Sequence, residues 1–266
     1  MNISYWLQHF DRNSRNRPEP DWHAPLHVEP HVLPKLIRSI AQFQLGDGGG
    51  PAHLIAWNRR KALAPESRMT ELIDRWFREE EEHSRLLGDL LKRLGGREIR
   101  SHWSFQLFCG LRKTLGVRFE IDALLLTEIV SHVYYKMLHR HGSDPGLRGT
   151  CRLIIRDESG HIAFHRARLT SEGLASGKQH GALWAAAFRL RGVLAGTVLW
   201  VNHRETLLAM GASDAEFYRA IWSGMGRFIT GLRRELAKPA AMMASHACQV
   251  ADTSRGCSER LPAESR

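Results

Sequence analysis

Apolar residues recur along much of this chain with the three-to-four-residue period of helices that bury one face. Four segments show such a stripe: 33–60, 66–94, 118–141 and 145–173. In the third segment the stripe contains a single acid and consists of Ile121, Leu124, Leu125, Glu128, His132, Tyr135 and Leu138. The pattern predicts four core-facing helices and an all-α fold.

Residues that favour turns group these helices into two hairpins. Pro65 separates the first two segments, and Gly142-Ser143-Asp144 separates the last two. The intervening segment, 98–117, is predicted to cross the bundle, and two more helices are predicted at 181–210 and 214–236. The predicted architecture is a four-helix bundle with a long crossover between helices 2 and 3 and two additional C-terminal helices.

The two ends of the chain differ from the middle in composition. Residues 1–32 contain several prolines and tryptophans and are predicted to form an irregular N-terminal arm. Residues 33–236 form the predicted helical domain. Residues 237–266 are polar and low in aromatic residues, which predicts a disordered tail.

Composition favours a cytoplasmic protein. A chain of 266 residues with 43% hydrophobic content can bury one core without disulfides. The four cysteines show no paired metal-ligand spacing and are interpreted as reduced thiols: Cys109, Cys151, Cys248 and Cys257. The N-terminus has no apolar core of signal-peptide length. The most apolar stretch, 182–201, is interrupted by Arg189 and Arg191, so no transmembrane segment is predicted.

The net charge of +10 permits two interpretations, a solvated basic surface or an acidic partner such as a carrier protein or an anionic membrane. Basic residues are dispersed, and no motif interleaves them with aromatic residues. A nucleic-acid partner is therefore not expected.

Two Glu-x-x-His motifs carry the most specific chemistry, Glu80/His83 and Glu158/His161. Residues three apart on a helix point the same way from adjacent turns, and both motifs lie within an apolar stripe. Because an unpaired buried carboxylate is costly, two explanations remain open. The pairs are either buried Glu–His hydrogen bonds or ligands of a metal.

Two further acids lie at matching distances upstream of these motifs. Glu128 precedes Glu158 by 30 residues, and Asp47 precedes Glu80 by 33. In antiparallel hairpins each acid lies opposite its motif, and such a set of four helices can hold two metal ions. Asp47 lies in the glycine-rich run 46–51, which is either a surface turn or a kink that leaves space beside the metals.

Together these motifs resemble the ferritin-like di-iron carboxylate superfamily, in particular its bacterial oxidase and oxygenase branch. The resemblance rests on Gln42-Phe43-Gln44-Leu45-Gly46-Asp47-Gly48, the Glu-Glu-x-x-His run at 79–83, Glu128 before Tyr134-Tyr135, and Asp157-Glu158-Ser159-Gly160-His161. It implies six metal ligands: Asp47, Glu80, His83, Glu128, Glu158 and His161. Carboxylate and imidazole ligands suit two iron ions or a manganese–iron pair.

The resemblance also implies supporting roles. Asp157 is expected to bind the imidazole of His83, and Glu79 that of His161. His132 is expected to be a core histidine or to support the ligands, with a role as an extra ligand as the alternative. Glu128 and Tyr135 are the predicted catalytic residues, with Tyr135 as pocket wall or redox partner.

The implied activity is oxidation of a small organic substrate by dioxygen, with an electron donor that the sequence does not identify and a homodimer as the usual assembly. A tyrosyl-radical subunit is not expected, because Leu87 occupies the radical position of the ribonucleotide reductase small subunit. The predicted pocket residues favour an apolar or aromatic substrate: Phe43, Trp76, Leu124, Leu125 and Tyr135. The alternatives are a ferroxidase that handles iron and a non-enzymatic helical scaffold with a degenerate metal site.

Overall fold

A computed structural model describes residues 1–47, 68–177 and 180–256, and all regular secondary structure in these ranges is helical. Its helices are α1 (Ile3–Arg15), α2 (Leu33–Asp47), α3 (Arg68–Arg93), α4 (Trp103–His141), α5 (Pro145–Ser176), α6 (Ala182–Ala209) and α7 (Asp214–Gly256). The all-α prediction is confirmed for this part of the chain. The choice between turn and kink in the glycine-rich run, and the rest of the first predicted helix, lie outside the described residues.

Helices α2 and α3 pack antiparallel. The Gln44 side-chain amide donates to Ser84 Oγ at 3.1 Å, and Ser84 Oγ donates to the Gln44 carbonyl oxygen at 3.1 Å. Near the opposite end of α2, Ile37 lies against Gly96, where an added Cβ would be 2.6 Å from Ile37 Cγ2. Helices α4 and α5 form the second hairpin across the turn 142–144.

The ion pair of Arg93 with Asp144 fixes the relative direction of the two hairpins. Arg93 ends α3, and its Nη2 donates to Asp144 Oδ2 at 2.8 Å, beside the end of α4. The carboxyl ends of α3 and α4 therefore lie side by side, so the chain between them must return along the bundle. The predicted boundary between crossover and third helix at 117–118 is wrong, because a single helix runs from Trp103 to His141. Apolar residues spaced by four carry the helix through this region: Trp103, Leu107, Leu111, Leu115 and Phe119.

Residues 1–32 were predicted to form an irregular arm. Part of this segment is helical instead, because it contains α1. Asn2 caps this helix by accepting the Tyr5 N–H at 3.1 Å. Trp6, Leu7 and Phe10 are buried in a small core shared with α3 and α5. Helical spacing of these three residues was the available signal, and the prolines of the arm all follow Arg15.

Helices α6 and α7 pack on each other and on the α4 side of the bundle. The prediction of a disordered tail from residue 237 is wrong as far as Gly256, because α7 continues to that residue. The run 240–244 consists of alanine and methionine with strong helix propensity, which explains the extension. Residues 257–266 lie outside the described part of the chain.

Helix α6 is long and apolar enough, by length and composition, to cross a membrane. Its most apolar window has a mean hydropathy of 1.3 and is 22% buried. Core helices of soluble bundles can reach the same hydropathy, and this helix carries Arg189 and Arg191. The expected lack of a transmembrane segment stays a prediction.

Candidate metal centre

Three helices bring five of the predicted ligands together in the bundle core. Two sets of ligand atoms, each within 4.8 Å of one another, could hold a metal ion. One set is Glu80, Glu128 and His161, and the other is Glu80, His83 and Glu158. Glu80 belongs to both sets, so its carboxylate lies between the two candidate positions.

Both histidines have the same orientation. The Nδ1 of His161 lies 3.0 Å from Glu80 Oε1 and 3.1 Å from Glu128 Oε2. The Nδ1 of His83 lies 3.4 Å from Glu80 Oε2. In each ring Nδ1 faces the shared carboxylates, which leaves Nε2 to face outward.

Each Nε2 lies within hydrogen-bond distance of an acid outside the cluster. The two pairings are those that the resemblance implied. Asp157 Oδ2 lies 3.2 Å from His83 Nε2, and Glu79 Oε2 lies 3.0 Å from His161 Nε2. Carboxylates in this position fix the tautomer and orientation of a metal-binding imidazole.

Arg17 is a functional candidate that sequence reasoning missed. Its Nη2 lies 2.8 Å from Asp157 Oδ2 and 3.7 Å from Glu79 Oε1, so one guanidinium contacts both outer acids. Arg156 also contacts Asp157, with Nη2 2.9 Å from Oδ1. Nothing in the sequence around Arg17 indicates this role, because the contact depends on how the N-terminal arm packs over α3 and α5.

Asp47 lies beside the cluster but belongs to neither candidate set. It ends α2, half-buried, and its Oδ2 accepts the Tyr135 hydroxyl at 3.0 Å. Burial and the nearby Glu80 carboxylate raise the pKa of Asp47 to about 7. Its predicted role as a ligand stays a prediction, and Tyr135 is placed to hold its carboxylate.

His132, predicted to be a core or supporting histidine, lies in the core. Its ring is buried, its Nδ1 has no hydrogen-bond partner within the described ranges, and burial together with Lys136 and Arg227 lowers its pKa to about 4. A residue four positions after Glu128 is rotated about 40° further around the helix. That rotation directs His132 toward these cations.

The electrostatics of the cluster follow from burial opposed by close opposite charges. Burial would lower the pKa of His83, but the hydrogen bond with Asp157 and the nearby carboxylate of Glu80 raise it to about 10. Burial would likewise lower the pKa of His161, which the Glu128 and Glu80 carboxylates raise well above its usual value. Burial and the Glu128 carboxylate raise the pKa of Glu158. A bound cation would replace the protons that these groups hold.

Trp76 positions the shared carboxylate. Its indole Nε1 donates to Glu80 Oε1 at 3.1 Å, and its ring packs edge-on against His161 and His165. His165 is fully buried, and neither ring nitrogen has a hydrogen-bond partner in the described structure. Burial lowers its pKa well below the usual value, so the ring is neutral.

A cavity of about 390 Å³ adjoins the cluster. Four carboxylates line one part of it: Asp47, Glu80, Glu128 and Glu158. Phe43, Trp76 and Leu124 line it as predicted, whereas Leu125 and Tyr135 are not among its lining residues. The predicted pocket-wall role of Tyr135 is therefore wrong; its ring lies against Phe43, with ring centroids 5.1 Å apart.

The donor set fits iron or manganese. His83 Nδ1 and Glu158 Oε2 are buried and have no hydrogen-bond partner in the part of the chain that the structure describes. Buried polar atoms without partners are rare in proteins, and a cation between the carboxylates would satisfy both. Imidazole and carboxylate ligands without a thiolate suit iron or manganese.

The chain matches no known family model, and neither curated proteins nor solved structures give a match.

Replacing Asp157 by asparagine is expected to weaken metal binding at the His83 position. The exchange keeps the size of the side chain but removes the charge that supports the imidazole, which typically lowers affinity about 10- to 100-fold. Anaerobic titration with ferrous iron measures the effect. Ser159→Ala, an exposed change two residues away, serves as the control. Equal iron affinity in both variants would show that Asp157 plays no part.

Proposed function

We propose that this protein is a di-metal carboxylate oxidoreductase that uses dioxygen to oxidise a small, largely apolar organic substrate. The observation that carries the proposal is the pair of ligand sets sharing Glu80 beside an apolar cavity. Two buried Glu-x-x-His motifs on facing helices, with a third carboxylate from α4, are the core of a bundle di-metal site.

The topology supports a ferritin-like bundle. Two antiparallel hairpins, α2–α3 and α4–α5, are joined so that α3 and α4 end on the same side. One long crossover of this kind is characteristic of ferritin-like folds. The proposed ligands lie near the middle of α3 and α5 and in the second half of α4.

Two reduced iron ions, or a manganese–iron pair, would supply the activation of dioxygen. The side chains of this protein orient and isolate that chemistry. Glu80, Glu128, Glu158, His83 and His161 would hold the metals, with Asp47 as the predicted sixth ligand, while Asp157 and Glu79 fix the imidazoles. Trp76 orients Glu80, and the apolar cavity walls exclude water from the reacting face.

Oxygen consumption tests the proposal. Protein loaded anaerobically with ferrous iron and then mixed with aerated buffer is expected to consume dioxygen, and a suitable organic substrate is expected to accelerate uptake. A Glu158→Gln variant should consume dioxygen far more slowly, while Glu172→Gln, an exposed change on the same helix, should match the wild type. Equal rates in both variants would contradict the proposal.

The alternative function is a ferroxidase that handles iron. The apolar cavity favours an oxidase of an organic substrate over this alternative. A ferroxidase needs an iron path to the metals, whereas this cavity presents mainly carbon atoms around the carboxylates. Gel filtration separates the two, because an iron store assembles into a large shell. A 24-subunit particle would favour iron storage.

A further inference from the structure

An arginine with an unused donor lines the cavity. Arg112 is 5% exposed, and its Nε donates to Glu120 Oε1 at 2.9 Å. Its guanidinium carbon lies 5.1 Å from the centre of the Phe108 ring. The Nη2 group is buried and finds no hydrogen-bond partner among the side chains and backbone groups that the structure describes. Leaving a charged donor unpaired in a buried site costs free energy, so such groups indicate a missing acceptor.

The charged residues that line this cavity have opposite signs, and neutral polar residues such as Gln42, Ser104 and Asn202 line it as well. The four carboxylates form one set, and Arg112 belongs to the other. Arg112 pairs with Glu120 rather than with any acid of the proposed metal centre. The rest of the lining is mostly apolar or aromatic, including Phe43, Phe105 and Leu124.

The cavity is reached past exposed apolar side chains near Arg112. Leu107 and Leu111 line the cavity and are 53% and 41% exposed, and Val198 of α6 is 47% exposed. Exposed apolar residues around an opening favour the entry of a molecule with a substantial hydrocarbon part.

From the unpaired Nη2 of Arg112 and the carboxylate cluster in the same apolar cavity, we propose that the ligand is a monocarboxylic acid with a hydrocarbon tail. Its carboxylate accepts a hydrogen bond from Arg112 Nη2, and its tail extends toward Glu80, Glu128 and Glu158. That the tail is then oxidised rests on the proposed function; the binding does not.

Charge determines the orientation of the ligand. The guanidinium group carries five N–H donors in a planar fork, so its bond to Glu120 through Nε leaves Nη2 free for a second carboxylate. In the metal-free protein, the opposite orientation would place an anion against four acidic side chains, where like charges repel. The acid group is therefore held away from the metal position and the hydrocarbon beside it.

Calorimetric titration under anaerobic conditions tests this ligand class on the full chain as purified. The probes are decanoate, 1-decanol and decylamine, which share one hydrocarbon length and differ in headgroup. Decanoate is expected to bind about 10- to 100-fold more tightly than decanol, the range of a hydrogen bond to a charged group. Decylamine carries a cation that Arg112 repels, so its binding is not expected to depend on that residue in the way that decanoate binding does.

The variants locate the headgroup. Arg112→Gln is expected to remove the preference for decanoate over decanol, and Arg112→Lys to retain part of it. Arg85→Gln, a change at a surface ion pair with Glu82, is the matched control and should keep the full preference. Because Arg112→Gln removes the ion pair between Arg112 and the buried Glu120, the double variant Arg112→Gln/Glu120→Gln repeats the measurement with both residues neutral.

The proposal is overturned if wild-type protein binds decanoate no better than decanol, if none of the probes binds, or if the folded double variant keeps the preference. These outcomes are independent of the proposed function, which is tested by metal binding and oxygen uptake. Tight binding of decanoate by a protein that takes up no iron would retain the ligand class and reject the oxidase.

Discussion

Replacing Glu80 by glutamine is expected to abolish binding of both metal ions, the largest single-residue effect in this protein. Glu80 is the one residue common to both candidate ligand sets, and its two oxygens face His83 and His161 separately. Glutamine keeps the shape but offers a neutral, weaker ligand. Replacing a residue that only supports a ligand typically lowers metal affinity about 10- to 100-fold. The affinity for both ions should fall by more than this in Glu80→Gln.

Metal analysis after anaerobic loading with ferrous iron measures this effect. Glu82→Gln on the same helix is the matched control, because Glu82 pairs with Arg85 at the surface. His83→Ala should lose one ion and keep the other, since His83 belongs to only one set. Retention of two ions by Glu80→Gln would show that this carboxylate does not connect the two positions.

Replacing Asp144 by alanine is expected to cause the largest loss of stability. This fully buried carboxylate caps α5 by accepting the Leu147 N–H at 2.9 Å, accepts the His27 N–H at 3.2 Å and pairs with Arg93. Removing one partner of a buried ion pair typically costs about 3–5 kcal/mol. Asp144→Asn should cost less, because asparagine is also a good N-cap residue.

The pH dependence of stability separates the charge of Asp144 from its capping role. Burial would raise the pKa of Asp144, but hydrogen bonds from Arg93, Leu147 and His27 lower it. Since the folded-state pKa is depressed, this stabilisation is complete above the unfolded value of about 3.9 and is lost as pH falls through the folded pKa. In urea unfolding, the difference between wild type and Asp144→Asn should shrink below about pH 4.

Asp89→Asn is the control for this pair of variants. Asp89 forms partly exposed ion pairs with Arg85 and Lys92, which typically contribute at most about 1 kcal/mol. A loss for Asp144→Ala no larger than that of Asp89→Asn would contradict the account of how α3, α5 and the N-terminal arm are joined.

Helical phase made most of the cluster predictable from sequence. In the run 79–83, Glu79, Glu80 and His83 turn inward while Glu81 is exposed, as the apolar stripe of α3 requires. The same phase puts Glu158 and His161 inward on α5. The predicted ligands and their supporting acids came from the resemblance to di-iron proteins, and helical phase explains why these side chains meet.

Contacts between distant segments could not be predicted in the same way. Arg17 reaches Asp157 only because α1 packs across α3 and α5, and no periodicity carries that information. Arg112 is buried within a stretch whose apolar stripe resembles an ordinary surface helix. His132 shows how far an apolar stripe can be used to predict contacts. It lies four residues after Glu128, and the resulting rotation of about 40° directs it toward Lys136 and Arg227 and away from the cluster.

A crystal of the iron-loaded protein, measured by anomalous scattering at the iron absorption edge, tests the central claim most directly. We expect two peaks about 3.5–4 Å apart. They should lie on either side of Glu80, one beside His83 and the other beside His161. A map with no peak between α3 and α5, or with iron only at surface positions, would contradict it.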